Sequence, residues 1–287
     1  MISHWILAAR IKTLPVSICP VLLAVSLSLS HPSYSTLTTI CIILCVLCIQ
    51  IGTNFANDYF DFIKGADTNE RVGPKRMTQS GRISPKIMKN ATIIVFAIAF
   101  LIGLYLVYVG GWPILLIGLL SIFFGVIYTA GPFPLAYVGG AEVVSYLFFG
   151  PVSVIGTYYL QTLTWNFDLF IIGSGIGLIT SALLVVNNTR DIDSDKKVNK
   201  KTWAVRFGRT FSYIEYIVFL YAPIFLLDYL TTDSAEQMVM VLILVFLAML
   251  LTRRFGKSNG SEFNKLLGLT SGYLLLYTLI ASYLFVV

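Results

Sequence analysis

Asn54, Asp58 and Asp61 follow one another at i, i+4 and i+7 where a long apolar run ends. If that run is helical, one face of its last turns carries an amide and two carboxylates. Carboxylates that close repel each other unless a cation joins them, and packing alone gives no reason to put them at the edge of an apolar segment. Oxygen donors with room for water suit Mg²⁺, which takes one or two carboxylates and fills its shell with water and phosphate oxygens. The stretch from Asn54 through Asn57 to Asp67 therefore reads as a metal and diphosphate site where a helix leaves an apolar phase. A second run ends the same way in Asn187, Asn188, Arg190, Asp191 and Asp195. There Asn187, Asp191 and Asp195 repeat the spacing of four, Asp193 falls off that face toward solvent, and the recurrence hints at a duplicated helical unit.

Cations follow each acidic end: Lys64, Arg71, Lys75 and Arg76 after the first, and Lys200 and Lys201 after the second. Metal on one side and guanidinium or ammonium groups on the other are what gripping a diphosphate requires. The same cations can instead touch only anionic lipid headgroups, and both readings stand for this cluster and for Arg10 with Lys12. Tyr128 ends an apolar run, as an interfacial aromatic or as part of a pocket wall. Glu142 falls inside an apolar run, where a carboxyl is expensive, as a functional group or as a protonated structural one. Cys41, Cys45 and Cys48 share a helical face, but with no soft partner nearby they read as small buried hydrophobes.

The elements that must position these groups are membrane helices. Of 287 residues, 57% are hydrophobic and 12% charged, and mean hydropathy is +0.82. About nine apolar runs of spanning length, centred near Leu22, Ile43, Ala99, Leu119, Phe148, Ile176, Val218, Val245 and Leu276, predict an all-α polytopic bundle. The polar segments are too short for a soluble domain, so residues 1–287 read as one integral-membrane domain, and Met1–Lys12 lacks the features of a cleaved signal peptide. The net charge of +6 is explained by where it lies, which leaves no call for a nucleic-acid partner. Lys and Arg fall at alternate ends of the runs, which predicts a cytoplasmic N-terminus and puts both acidic ends, with the cavity they serve, on the cytoplasmic face of a cell inner membrane.

With both acidic blocks in view, the chain resembles the UbiA superfamily of intramembrane aromatic prenyltransferases, and is most similar to the branch that prenylates 1,4-dihydroxy-2-naphthoate in menaquinone synthesis. The resemblance runs through Arg10-Ile-Lys12-Thr13-Leu-Pro15, Asn57-Asp58-Tyr-Phe-Asp61, Gly73-Pro74-Lys75-Arg76, Tyr128-Thr-Ala-Gly131-Pro132, Gly140-Ala-Glu142, Gly156-Thr-Tyr158-Tyr159 and Asn187 to Thr202. It departs at Asn199, where the family pattern has Gly; Asn tolerates a left-handed turn, so the loop can keep its path. The resemblance implies Mg²⁺ held by Asn54, Asp58, Asp61, Asp191 and Asp195, gripping a polyprenyl diphosphate clamped by Lys64, Arg71, Lys75, Arg76 and Lys201. Cleavage of the allylic C–O bond would leave a cation that the faces of Tyr128 and Tyr158 can steady. Arg10 or another cation would hold the carboxylate of the aromatic acceptor and Glu142 would orient its phenol, while the prenyl tail lies among apolar helix faces open to membrane lipid.

Other acceptors, such as 4-hydroxybenzoate, homogentisate or a tetrapyrrole, fit the same residues. An ion-coupled transporter is a reading of a different class, because acids at helix ends also line ion paths. A CDP-alcohol phosphotransferase is disfavoured by the absence of Asp-Gly-x-x-Ala-Arg.

Overall fold

Serine and asparagine start the long helices. Ser35, Ser84, Asn166 and Ser234 each accept a hydrogen bond from the backbone N–H three residues on, and Pro85 follows Ser84 at the first helical position, which satisfies donors that a helix start leaves open. In the computed structural model, which describes residues 2–66, 72–230 and 234–286, the chain is helical throughout its apolar runs. The elements are α1 (Ile2–Ala9), a 3₁₀ turn (Ile11–Thr13), α2 (Leu14–Ser28), α3 (Thr36–Ile63), α4 (Pro85–Gly110), α5 (Trp112–Ile127), α6 (Leu135–Val138), α7 (Ala141–Phe149), α8 (Pro151–Thr162), α9 (Phe167–Arg190), α10 (Ile192–Lys197), α11 (Trp203–Leu230), α12 (Ala235–Lys257) and α13 (Glu262–Val286).

Among the described residues seven segments are long and apolar enough to cross a membrane: α3, α4, α7 with α8, α9, α11, α12 and α13. α1 and α2, bent by 61°, make an eighth if taken as one span. The ninth apolar run forms α5, whose 16 residues rise only about 24 Å, less than the hydrocarbon thickness of roughly 30 Å. Apolar side chains on the outer faces of α4 and α5, such as Ile94, Leu101, Leu116 and Phe123, point away from the protein, as lipid-facing residues do.

α9 is the central helix: 78% of its most apolar window is buried, consistent with a helix that is apolar on every side. One core joins α9 to α2, α8, α11, α12 and α13 through residues such as Leu23, Ile176, Leu220 and Leu274. A second joins α2, α3, α4, α5 and α8. A third packs Ala8, Phe55, Met77 and Met88, binding α1 and the loop before α4 onto α3. The break between α7 and α8 sits directly on α9, and a Cβ on Gly150 would come within 2.7 Å of the Gly173 carbonyl oxygen and the Gly177 Cα. Glycine at these places is a condition of the close crossing that brings Glu142 to α9.

Candidate active site

The inward face of α3 behaves as its spacing requires, with Asn54, Asn57, Asp58 and Asp61 all buried. Asn54 donates to the Ala9 carbonyl and to Thr13 Oγ1, and so fastens the bend between α1 and α2. At that bend Arg10 has a left-handed backbone, φ 50°, held by hydrogen bonds from the Thr13 N–H and hydroxyl to its carbonyl, and it reaches the cavity wall. Asn57 accepts from the Thr129 hydroxyl at 2.9 Å, which ties α3 to the segment after α5. Asp58 accepts two backbone N–H bonds, from Met77 at 3.0 Å and Thr78 at 2.9 Å. Its carboxylate thereby fixes the turn that carries Arg76.

Asp61, 2% exposed, is the hub. Arg76 donates to one oxygen at 2.8 Å and the Tyr137 hydroxyl to the other at 2.9 Å. Lys200 Nζ stands 4.0 Å from that second oxygen and 3.8 Å from an Asp195 oxygen. One ammonium thus lies between a carboxylate from α3 and one from α10. The Tyr137 ring meets two cations, with Lys64 and Lys200 Nζ each 4.8 Å from its centroid. Lys64 also donates to the carbonyls of Thr129 at 2.7 Å and Gly131 at 3.2 Å. Partial burial draws the Lys64 ammonium below the usual lysine range; Asp61 opposes that shift and Lys200 adds to it.

The second acidic end keeps the helical spacing across a kink. α9 stops at Arg190, yet Asp191 N–H still bonds the Asn187 carbonyl and Asp195 N–H the Asp191 carbonyl. Arg190 folds back to grip Asp191 at both oxygens, 2.8 and 2.7 Å. Asn188 donates to Glu142 Oε1 at 2.7 Å, so the buried acid of α7 is tied to α9. Asp193 is exposed. Asn199 has φ 57°, the left-handed turn that its side chain permits, and the loop then passes Gly139, whose Cβ would lie 2.9 Å from the Lys201 carbonyl oxygen. The Lys201 N–H bonds the Tyr137 carbonyl at 2.8 Å, which sets Lys200 against Asp61.

Beneath the acids lies a cavity of about 540 Å³. Arg10, Asn54, Asn57, Tyr128 and Asn187 line its polar part, and Asn57 is one turn short of Asp61. Along α3 the wall continues to Ile42, about 22 Å at the helical rise of 1.5 Å per residue. Leu106, Ile114, Phe148 and Leu160 make that far part apolar. The amides and the guanidinium gather at one end and the rest of the lining is mostly apolar, with uncharged polar groups such as Gln50, Ser121 and Thr157 scattered along it, which suits an amphiphile.

Several expectations change in detail. The five oxygen donors Asn54, Asp58, Asp61, Asp191 and Asp195 do not form one cluster: among the described residues no three His, Cys, Asp or Glu side chains converge as a metal group. Loop N–H groups hold Asp58, Arg190 holds Asp191, and Arg76 with the Tyr137 hydroxyl holds Asp61; what sets Asp61 and Asp195 apart is that both stand within 4.0 Å of one ammonium, that of Lys200. That pair fits a hard divalent ion, since two oxygen donors from different helices already meet on one cation. The side chains of Lys75 and Lys201 are exposed, and Lys200 takes the position expected of Lys201. Tyr158 packs against the core around α9 and does not line the cavity, whereas Tyr128 does. Arg71 and Asp67 lie outside the described residues. Tyr137, Thr129 and Asn264 are additions: none carries a periodic signal in the sequence.

Residues 17–285 match the model of the UbiA prenyltransferase family. Two proteins named 1,4-dihydroxy-2-naphthoate octaprenyltransferase, from Haemophilus influenzae and Escherichia coli K12, are each 36% identical to this chain. The first match covers 72% of this chain and 70% of that protein, the second 71% and 68%. Human UbiA prenyltransferase domain-containing protein 1 is 28% identical, over 92% of this chain and 78% of its own. Among solved structures, a UbiA homolog from Archaeoglobus fulgidus bound to DMAPP and Mg²⁺ superposes with a TM-score of 0.70 over 98% of this chain and 99% of that one. A homolog from Aeropyrum pernix K1 gives 0.73 over 94% and 97%. Both are 14% identical, so they speak to the fold.

Proposed function

The chain belongs to the UbiA prenyltransferase family, and from that premise we propose that it transfers a polyprenyl group from a polyprenyl diphosphate to 1,4-dihydroxy-2-naphthoate, with loss of carbon dioxide, in menaquinone synthesis. It is a prenyltransferase enzyme and an integral membrane protein. The naphthoate acceptor is supported by the names of the relatives at 36% identity. We place the acidic end of the bundle, with the N-terminus, on the cytoplasmic side of the cell inner membrane, in line with the distribution of Lys and Arg.

The observation that carries the reading is Lys200 standing between Asp61 and Asp195 above an amphiphile-shaped cavity. In our reading Lys200, Lys64 and Arg76 face the diphosphate, and their charge opposes the negative charge that builds on it as the allylic C–O bond breaks. Mg²⁺ held by Asp61 and Asp195 supplies further Lewis-acid charge when bound. The prenyl tail occupies the apolar length beside α3, which excludes water from the allylic carbon. Tyr128 presents its ring to that carbon from the cavity wall. Arg10 holds the acceptor carboxylate, while Asn188 fixes Glu142 to orient a phenol. Attack by the ring carbon that bears the carboxylate forms the new C–C bond and releases carbon dioxide and diphosphate; charge balances without loss of a ring proton.

The test is to incubate the purified protein with Mg²⁺, labelled polyprenyl diphosphate and a panel of aromatic acids. The expected result is a prenylated naphthoquinol with equimolar carbon dioxide, lost in Asp61→Asn and on chelation. Transfer to 4-hydroxybenzoate or homogentisate in preference would overturn the acceptor assignment, and Asp61→Asn turnover equal to wild type would overturn the site.

A further inference from the structure

Asn264, on the first turn of α13, touches both halves of the site although nothing in the prenyl-transfer reading employs it. Its amide oxygen accepts from Arg190 Nη1 at 2.8 Å, and its amide nitrogen donates to the Val72 carbonyl at 3.2 Å. Arg190 spends its other nitrogens on both oxygens of Asp191. Val72 belongs to the loop whose later turn bears Arg76 and hangs on Asp58. Asn264 also lines the cavity with its helix neighbours Leu267, Gly268 and Ser271. A single amide therefore joins the C-terminal helix, the second acidic end and the loop after the first. Donor and acceptor are both needed, since Arg190 can only donate and the Val72 carbonyl can only accept.

We infer that Asn264 is a positioning residue that latches the stretch from Val72 to Arg76 to the Arg190–Asp191 pair, so that the cations set by the first and second acidic ends are held in one arrangement. Its effect on transfer rests on the function proposed above; the latch itself does not. Asn264→Asp keeps an acceptor for Arg190 and loses the donor to Val72, and Asn264→Leu loses both. Asn264 is exposed, so neither variant disturbs the core. The exposed Lys75 reports loop opening, through the rate of tryptic cleavage after it, followed by mass spectrometry in detergent. Loss of one ordinary hydrogen bond raises that rate about fivefold in both variants if cleavage follows the open population. In transfer assays Asn264→Asp raises KM for the polyprenyl diphosphate with kcat kept, whereas Asn264→Leu also lowers kcat, because Arg190 loses its anchor. Wild-type cleavage rates in both variants overturn the latch whatever the transfer rates. Faster cleavage upholds it even if no prenyl transfer is found, a result that would count against the functional reading alone.

Discussion

Replacing Tyr137 by Phe removes one hydroxyl and leaves the ring, and the structure predicts what each part contributes. The hydroxyl donates to Asp61 at 2.9 Å, and a hydrogen bond to a charged group contributes about 1.5–3 kcal/mol. Asp61 retains Arg76 at 2.8 Å, so the low end applies and kcat/KM should fall roughly tenfold. Tyr137→Leu also removes the ring that Lys64 and Lys200 approach, each 4.8 Å from its centroid. Two cation–π contacts of about 0.5–1 kcal/mol each make that variant roughly another tenfold slower. The assay is steady-state transfer from labelled polyprenyl diphosphate at saturating acceptor, with thermal midpoint and monodispersity as controls on folding. A wild-type rate in Tyr137→Phe would refute the hydroxyl's role, and equal rates in the Phe and Leu variants would refute the ring's.

Lys200→Met should bind Mn²⁺ at least about tenfold more tightly without diphosphate, read by electron paramagnetic resonance, because Asp61 and Asp195 then lack the ammonium between them; unchanged binding would separate Lys200 from the metal position. Asn199→Gly should keep wild-type transfer, whereas Asn199→Val, forced to a positive φ, should lose roughly tenfold by displacing Lys200, an effect of about 1–2 kcal/mol; a Val variant at wild-type rate would show that the turn does not set the lysine. Asp58→Ala should speed tryptic cleavage after Lys75, since that carboxylate holds the turn at Met77 and Thr78; unchanged cleavage would argue against a structural part for it.

How much of this was legible in the sequence depends on which residues follow a period. Asn54, Asp58 and Asp61 lie on a helix that stays regular to Ile63, so spacing alone put them on one buried face. The second end kept its spacing although α9 stops at Arg190, because the i to i+4 bonds continue through Asp191 and Asp195. Periodicity could not say which carboxylates are already engaged: the partners of Asp58 and Asp191 come from a loop and from the neighbouring Arg190. Tyr137 lies on the four-residue helix α6 after a proline-rich loop, where no pattern assigns a direction. The choice between Lys200 and Lys201 turns on one residue of register, fixed by the left-handed Asn199 and the close pass at Gly139. The count of spans was legible only in part for a similar reason, since apolar content marks α5 as a run without showing that its helix is 16 residues long.

The central claim is that two acidic helix ends far apart in sequence serve one diphosphate through a shared cation position. Anomalous diffraction from crystals soaked with Mn²⁺ and a non-reactive prenyl thiodiphosphate tests it most directly. A manganese peak bound by both Asp61 and Asp195, with the thiodiphosphate against it and the tail along α3, is the predicted result. Manganese bound away from either carboxylate, or a diphosphate held elsewhere on the bundle, would contradict it.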